Sequence, residues 1–352
     1  TAINTNGDTE IQCSEAAAYP NSINCLNLNI SDLTGIEAFT SLHGLNFTNN
    51  QITSVDVSAI TTLTFLYGNS NQLTSVDVST NSALEHLQFT NNQLTSVDVS
   101  ACTSLYYLFI DNNILTNLDL SNNTALQIVS CKDNQLTSLD VSANTTLRDL
   151  SFYNNQLTSL DVSANTNLKL LSAGLNQITS LDVSANIALE ELYFSNNQLT
   201  SLDVSTNSAL EILNCNDNQL TSLDVSAINA LAELYCNDNQ LTSLNIANGN
   251  NANMYYFDAT NNTALTCIEV DAAIVGTSPT DWYKDAGATY SASCTTCTVN
   301  IPDANFKAYL VGNTAINTNG DTEIQCSEAS AYTGAIVAAS LNISDLTGIE
   351  AF

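Results

Sequence analysis

Apolar and polar residues alternate along most of this chain in a cadence that neither a helix nor a lone strand can produce. Segments of the type LTSLDVS begin at Ile52, Leu73, Leu94, Leu115, Leu136, Leu157, Ile178, Leu199, Leu220 and Leu241, each 21 residues after the last. The unit from Leu136 to Gln156, LTSLDVSANTTLRDLSFYNNQ, holds the pattern LxxLxLxxN twice, ending first at Asn144 and then, with Phe152 as the last apolar residue, near Asn155. Because the apolar spacing restarts every ten or eleven residues, no single helical or strand period fits it. It predicts stacked coils in which Leu136, Leu139, Val141, Leu147, Leu150 and Phe152 bury against their equivalents one coil above and below. The asparagines at 71, 92, 113, 134, 155, 176, 197, 218 and 239 recur at one position, where a side-chain amide can satisfy the backbone of a tight turn and of the next coil.

On these residues the chain resembles secreted bacterial leucine-rich-repeat proteins of the Bacteroidetes type, with a short unit built from two nested half-motifs. The resemblance implies a mainly β repeat solenoid: a right-handed coil with short strands on one or both long sides and little helix except at the caps. It implies no catalysis. The predicted organisation is an N-terminal cap and irregular first repeat (1–51), nine regular repeats (52–240), a last repeat with C-terminal cap (241–300), and the start of a further module (301–352).

The two halves of each coil carry different information. With Leu and Val of SLDVS turned inward, Asp56, Asp77, Asp98, Asp119, Asp140, Asp161, Asp182, Asp203 and Asp224 form one outward column, its members about 4.8 Å apart if successive strands pair. That column reads either as a cation-, mineral- or ice-facing ladder or as a solvated face that keeps a flat sheet from aggregating. The other half varies from coil to coil. Its expected outward residues include Tyr67, Phe109, Tyr193 and Tyr235, with Tyr106, Tyr107 and Tyr153 nearby, and exposed tyrosine suits contact with protein or sugar. Unselected drift on a solvated side is the competing reading. Tyr106, Tyr107 and Phe109 form the first patch to test.

Ten cysteines suggest an oxidising compartment. Cys131, Cys215 and Cys236 fall in the inward slot held elsewhere by phenylalanine or isoleucine and read as small buried hydrophobes. Cys13 with Cys25, and Cys267 with Cys294, bracket the entry and exit of the coil and are expected to be disulfides sealing its ends. Cys297 and Cys326 then remain to pair.

Residues 1–39 recur as 314–352 with 31 of 39 positions identical. Before the second copy stands IPDANFKAYLVGN, a predicted helix with Pro302 near its first turn. One full module and the opening of another are therefore expected, cut from a tandem array or a repeating polymer. Within the duplicated block NTNGDTEIQCSE has the 12-position spacing of a calcium loop. Asn4, Asn6, Asp8, the Glu10 carbonyl, Gln12 and Glu15 would be the ligands, and Asn317, Asn319, Asp321, Glu323, Gln325 and Glu328 their counterparts. Asn in place of the first Asp, and Thr9 in place of the turn glycine, depart from that pattern. An uncharged polar turn starting a cap helix is the alternative.

Five basic residues, Lys132, Arg148, Lys169, Lys284 and Lys307, face 35 acidic ones, a formal charge of −30. Phosphate binding needs clustered Lys and Arg, so nucleic acid and anionic membrane surfaces are disfavoured partners. No run of 18 apolar residues predicts membrane insertion. GxSxG, HExxH, P-loop and paired Cys/His arrangements are missing from the sequence, which disfavours an enzyme. The expectation is an extracellular or cell-surface structural and adhesive module, repeated in tandem or joined end to end with copies of itself in a fibre. A receptor for glycan or protein is the second reading, and an ice or mineral binder the third.

Overall fold

The computed structural model describes residues 3–277, 279–294, 298–318 and 322–352, with the side chains of Cys326 and Ser327 outside the description. Two units are compact by themselves, Thr1–Ala292 and Ser293–Phe352. The first is a parallel β-solenoid. Among the described residues its main sheet has 13 strands, running from Ser22–Asn24 and Gly44–Asn46 through Tyr107–Phe109 and Asp149–Ser151 to Glu233–Tyr235, Tyr256–Ala259 and Trp282–Lys284. Successive strands pair in parallel and in register, Leu45 with Leu66, Leu66 with Leu87 and so on, 21 residues apart. The central residue of each points inward, as in the pattern of half-buried, buried, half-buried along Phe65–Tyr67.

The interior is one continuous column. Leu136, Val141, Leu147, Leu150 and Phe152 are fully buried, while Leu139 is 7% exposed. The innermost slot mixes large and small residues along the stack: Phe47, Gly68, Phe89, Ile110, Cys131, Phe152, Ala173, Phe194, Cys215 and Cys236. Phe47 and Phe89, two coils apart, bring their ring centroids to 6.2 Å. A Cβ on Gly68 between them would lie 2.5 Å from both rings. Small residues in this slot make room for a neighbour's ring, which is why cysteine suits it. Cys131, Cys215 and Cys236 are free and buried, and burial pushes the Cys215 thiol up to about 12.

Each coil turns through a left-handed residue just before the recurring asparagine: Asn91, Asn112, Asp133, Asn154, Asn196, Asp217 and Asp238 have φ between 51° and 58°. Asn and Asp tolerate that conformation better than other side chains. Ser70, at φ 53°, and Leu175, at φ 50°, are the exceptions. The asparagine that follows binds the coil together as expected. Asn155 Nδ2 donates to Cys131 O at 3.0 Å and Phe152 O at 2.9 Å, and its Oδ1 accepts from Leu136 N at 2.9 Å.

The LTSLDVS half differs from its expected form. From residue 52 to 221 it is extended but outside any named strand, with an isolated bridge between Asp77 and Asp98. Pairing takes hold in the last coils, in a four-stranded sheet of Ser222–Asp224, Ser243–Asn245, Cys267–Glu269 and Thr289–Ser291. There the outward column changes from Asp opposite Asp to Asp224 opposite Asn245. Like charges directly opposite weaken a strand pair, and neighbouring carboxylates do raise one another along this column, as Asp119 and Asp161 do for Asp140.

The second unit has its own small core of Val299, Ile301, Phe306, Leu310, Ile316, Ile324 and Ala329. The predicted helix forms at Ala304–Val311, its N-terminus capped by Asp303, which accepts from Asn305 N and Phe306 N.

Candidate functional site

The expected binding residues lie on or beside the outward face of the 13-stranded sheet, and the structure gathers them in two groups. Tyr67, Tyr107 and Phe109 end or begin adjacent strands with Phe65 and His86. Phe65 and Tyr67 stand 5.0 Å apart by ring centroids, His86 and Tyr107 4.7 Å, and Tyr106 and Tyr107 4.5 Å, edge to face. The second group is near the C-terminal coils. Tyr235 stacks on Tyr256 at 4.6 Å, and Tyr256 meets Tyr283 at 5.9 Å. Carboxylates thread this group: Tyr193 donates to Glu191 at 2.8 Å, Tyr235 to Glu233 at 2.7 Å, and Tyr255 to the other oxygen of Glu233. Desolvation first, then these carboxylate contacts, push the Tyr193 and Tyr235 phenols well above their ordinary value.

Between the groups the face is charged. Lys169 pairs with Glu190 at 2.5 Å, and desolvation raises the Asp149 carboxyl while Arg148 draws it down. Tyr153 lies past the end of its strand, against Gly174. Phe65, His86, Tyr255, Tyr256 and Tyr283 were not among the expected binding residues. His86 and Phe65 could have been found by stepping 21 and 42 residues back from Tyr107. Tyr256 is hidden from that count because it pairs with Glu233, 23 residues earlier.

The acidic column on the opposite half is solvated and locally tied. Each Asp accepts from the backbone N–H two residues on, Asp140 from Ser142 at 2.9 Å, and Asp56 also takes the Ser58 hydroxyl at 2.6 Å. These bonds hold Asp56, Asp77, Asp98, Asp119, Asp140, Asp161, Asp182 and Asp203 below the usual carboxylate range.

In the cap loop, Asn6 Nδ2 meets Asp8 Oδ2 at 3.0 Å and Gln12 Oε1 at 2.6 Å, and Gln12 Nε2 reaches Asp8 Oδ2 at 2.8 Å. Asn4 closes on the same loop through the Asp8 carbonyl at 2.6 Å. Glu15 does something else. Its carboxylate accepts from Thr5 N, Thr5 Oγ1, Asn6 N and Gln12 N, completing a capping box on the helix Cys13–Ala17. The Thr5 hydroxyl leads the bonds that bring its pKa down to about 2. With both oxygens committed, Glu15 is not free to be a bidentate ligand. Glu10 contributes its carbonyl at the rim, 3.4 Å from Gln12 Nε2.

In the second copy Glu328 caps in the same way, accepting from Thr318 N and Gln325 N. Glu323 pairs with Lys307, and Asn317 donates to Val311 O. Asn319 and Asp321 lie outside the described residues. Among the described residues no group of three His, Cys, Asp or Glu is placed to hold a metal.

The expected Cys13–Cys25 disulfide does not form: both thiols are free. Cys25 is buried against the first strands and donates to Asn46 O at 3.3 Å, while Cys13 stands exposed at the start of its helix. The second copy has Cys326 at the place of Cys13 but Ala338 at the place of Cys25, so this pair is no part of the duplicated cap. Packing does the sealing there. At the exit Cys267 and Cys294 are both disulfide-bonded, and Trp282 closes the coil with its indole N–H on Met254 O at 3.1 Å. Cys297, and the side chain of Cys326, lie outside the described residues.

The family profile for Leucine Rich repeats (2 copies) matches residues 187–228. Among solved structures, the functional domain of InlJ from Listeria monocytogenes, described as including a cysteine ladder, is 36% identical with a TM-score of 0.69, over 78% of this chain and 64% of that one. An internalin, InlF, from the same organism is 22% identical over 83% of this chain and 92% of its own, with a TM-score of 0.57. A leucine-rich-repeat protein of Leptospira interrogans, 19% identical over 74% of this chain and 92% of its own, has a TM-score of 0.52. The last two share the fold. No curated protein sequence matches the chain. The chain is a leucine-rich-repeat protein, and its solenoid is of the kind found in internalins. No helix among the described residues is long and apolar enough to cross a membrane.

Proposed function

We propose that this chain is a non-enzymatic adhesive and structural module of a bacterial surface or extracellular fibre, repeated in tandem, that engages protein through the outward face of its main sheet. The observation carrying this reading is the contrast between a regularly repeating apolar interior and a face on which two aromatic groups stand on registered strands. Large aromatic side chains with few rotamers give contact area at low entropic cost. The short 21-residue unit and the likeness to the InlJ domain support a place outside the cell. The near-exact return of residues 1–39 at 314–352 supports the array.

Electron microscopy of secreted material, and of a polypeptide spanning one complete junction, tests the array. Filaments with a module-length repeat are expected, and discrete monomers at high concentration with calcium would overturn it. A second reading, glycan binding, is favoured by the stacked Tyr235 and Tyr256 beside carboxylates, since sugar rings stack on such faces. Glycan arrays decide it: retention that Tyr235→Ala and Tyr256→Ala abolish would move the assignment from protein to sugar.

Calcium is proposed as a structural ion of the cap loop, taken by Asn4, Asn6, Asp8, the Glu10 carbonyl and Gln12, with Glu15 kept as the helix cap. The alternating oxygen-bearing side chains of NTNGDTEIQ support this reading, because hard oxygen ligands at that spacing suit calcium. A calcium-dependent rise in unfolding midpoint that Asp8→Ala removes is the expected outcome.

A further inference from the structure

The two near-identical caps differ in what covers them. In the second copy, residues 298–311 lie across the cap as a strap. Val299 N donates to Ile324 O at 2.8 Å, and Thr298 bridges to Gln325. The helix that follows buries Phe306 and Leu310 completely in the core that holds Ile324 and Ala329. Four polar contacts pin it: Asp303 Oδ2 accepts from Ser344 N at 2.8 Å and from Ser344 Oγ at 2.9 Å, Asn305 donates to Asn342 O at 3.1 Å, and Lys307 pairs with Glu323 at 2.5 Å.

In the first copy every one of these receiving residues is present, as Ile11, Gln12, Ala16, Ser31, Asn29 and Glu10, and among the described residues none lies over Gly35 as Val299, Asn300 and Ile301 lie over Gly348. Ile324 is fully buried, and its counterpart Ile11 is 51% exposed. The glycines report the same difference. Gly35 and Gly348 have matching backbones, φ 100° and 99°. A Cβ on Gly348 would lie 2.9 Å from Asn300 O and from the side chains of Val299 and Ile301, whereas one on Gly35 would meet nothing within 4 Å. What remains over Ile11, Ala16, Ile30, Gly35 and Phe39 is a groove of about 540 Å³, with the exposed Cys13 on its wall.

We propose that this groove is the seat of a strap from a second copy of the module: a Thr298–Val311 segment lying across Ile11 and Gly35 as this chain's own strap lies across Ile324 and Gly348. Fourteen residues of fixed chemistry are specified. An extended apolar pair lies along Ile11, an Asp reaches Ser31, and a helix inserts Phe and Leu while its Lys meets Glu10. The pairing is local rather than a matter of net charge: the strap carries one Asp and one Lys, and the Lys would meet Glu10, the counterpart of Glu323, as Lys307 meets Glu323. The inference rests on the array reading only for the source of the strap.

The test is the full chain extended in front of Thr1 by a further copy of residues 298–313, compared with the unextended chain and with an extension whose Phe306 and Leu310 equivalents are Asp. Alkylation of Cys13, followed by peptide mapping, reports cover. The intact extension is expected to slow it about tenfold or more, with Ile11→Asp returning the rate to that of the bare chain. Equal rates in all three proteins, or equal protection by the Asp-bearing extension, would overturn the proposal. Filaments seen by microscopy without protection would remove the strap and leave the array, while protection without filaments would do the reverse.

Discussion

The two halves of each coil begin from the same pattern, LxxLxLxxN, and end as different structures. On the variable half, the central strand residue is fully buried, as Leu150 is, the strands pair along the whole unit, and Asn155 has every polar atom satisfied. On the LTSLDVS half, Leu139 is slightly open and pairing is confined to the last coils. The asparagines there are half satisfied: Asn144 Nδ2 donates to Leu120 O and Asn123 O, but its Oδ1 is buried without a partner, as are those of Asn81, Asn123, Asn165, Asn186 and Asn207. An identical apolar frame therefore does not decide whether a strand ladder forms. The two halves differ instead in their outward residues and in how fully their turn asparagines are bonded.

Six substitutions and a change of pH would break or sharpen this contrast. The largest effect is expected for Phe152→Ala, at about 3–5 kcal/mol from the lost ring and its cavity, against nearer 2 kcal/mol for Leu139→Ala on the open half. Urea unfolding of both variants measures the gap, and equal losses would mean the halves are packed alike. Next, Asn155→Ala should cost roughly 2–3 kcal/mol because Leu136 N is left buried without an acceptor. Asn144→Cys should cost less than about 1 kcal/mol, since Cys102 already fills that slot, its thiol 3.7 Å from Val78 O, and the orphaned Oδ1 is removed.

Leu175→Asn should stabilise by up to about 1 kcal/mol by relieving the one left-handed turn residue of the regular coils that is neither Asx nor Ser. A fall in unfolding midpoint would show that the Leu175 side chain contributes contacts worth more than the strain.

The smallest effect per residue belongs to the acidic column. Its carboxyls titrate below their unfolded value because serine N–H and hydroxyl groups hold the charged form. Their contribution is thus present above the unfolded pKa and is lost as pH falls through the lower folded one. The midpoint of thermal unfolding should decline as pH drops below about 4. Asp140→Asn, which keeps an acceptor for Ser142 N, should lose its share of that slope and gain slightly at neutral pH in low salt, where its like-charged neighbours Asp119 and Asp161 repel it most. A variant with unchanged pH dependence would show that these bonds are equally made in the unfolded chain.

Much of this was written in one dimension. The 21-residue recurrence of Leu, Phe and Asn determined a stacked coil, its inward residues, its amide ladder and the small-residue reading of Cys131, Cys215 and Cys236, because each depends on a register that stacking copies unchanged from coil to coil. The duplication of residues 1–39 was equally plain. Tertiary structure alone decided which half becomes the sheet, since both halves carry the same apolar pattern. It also decided that Glu15 caps a helix, that Cys13 and Cys25 both stay free thiols, and that Ile324 is buried where its counterpart Ile11 is exposed. These are contacts between segments whose separation in sequence says nothing about their distance in space.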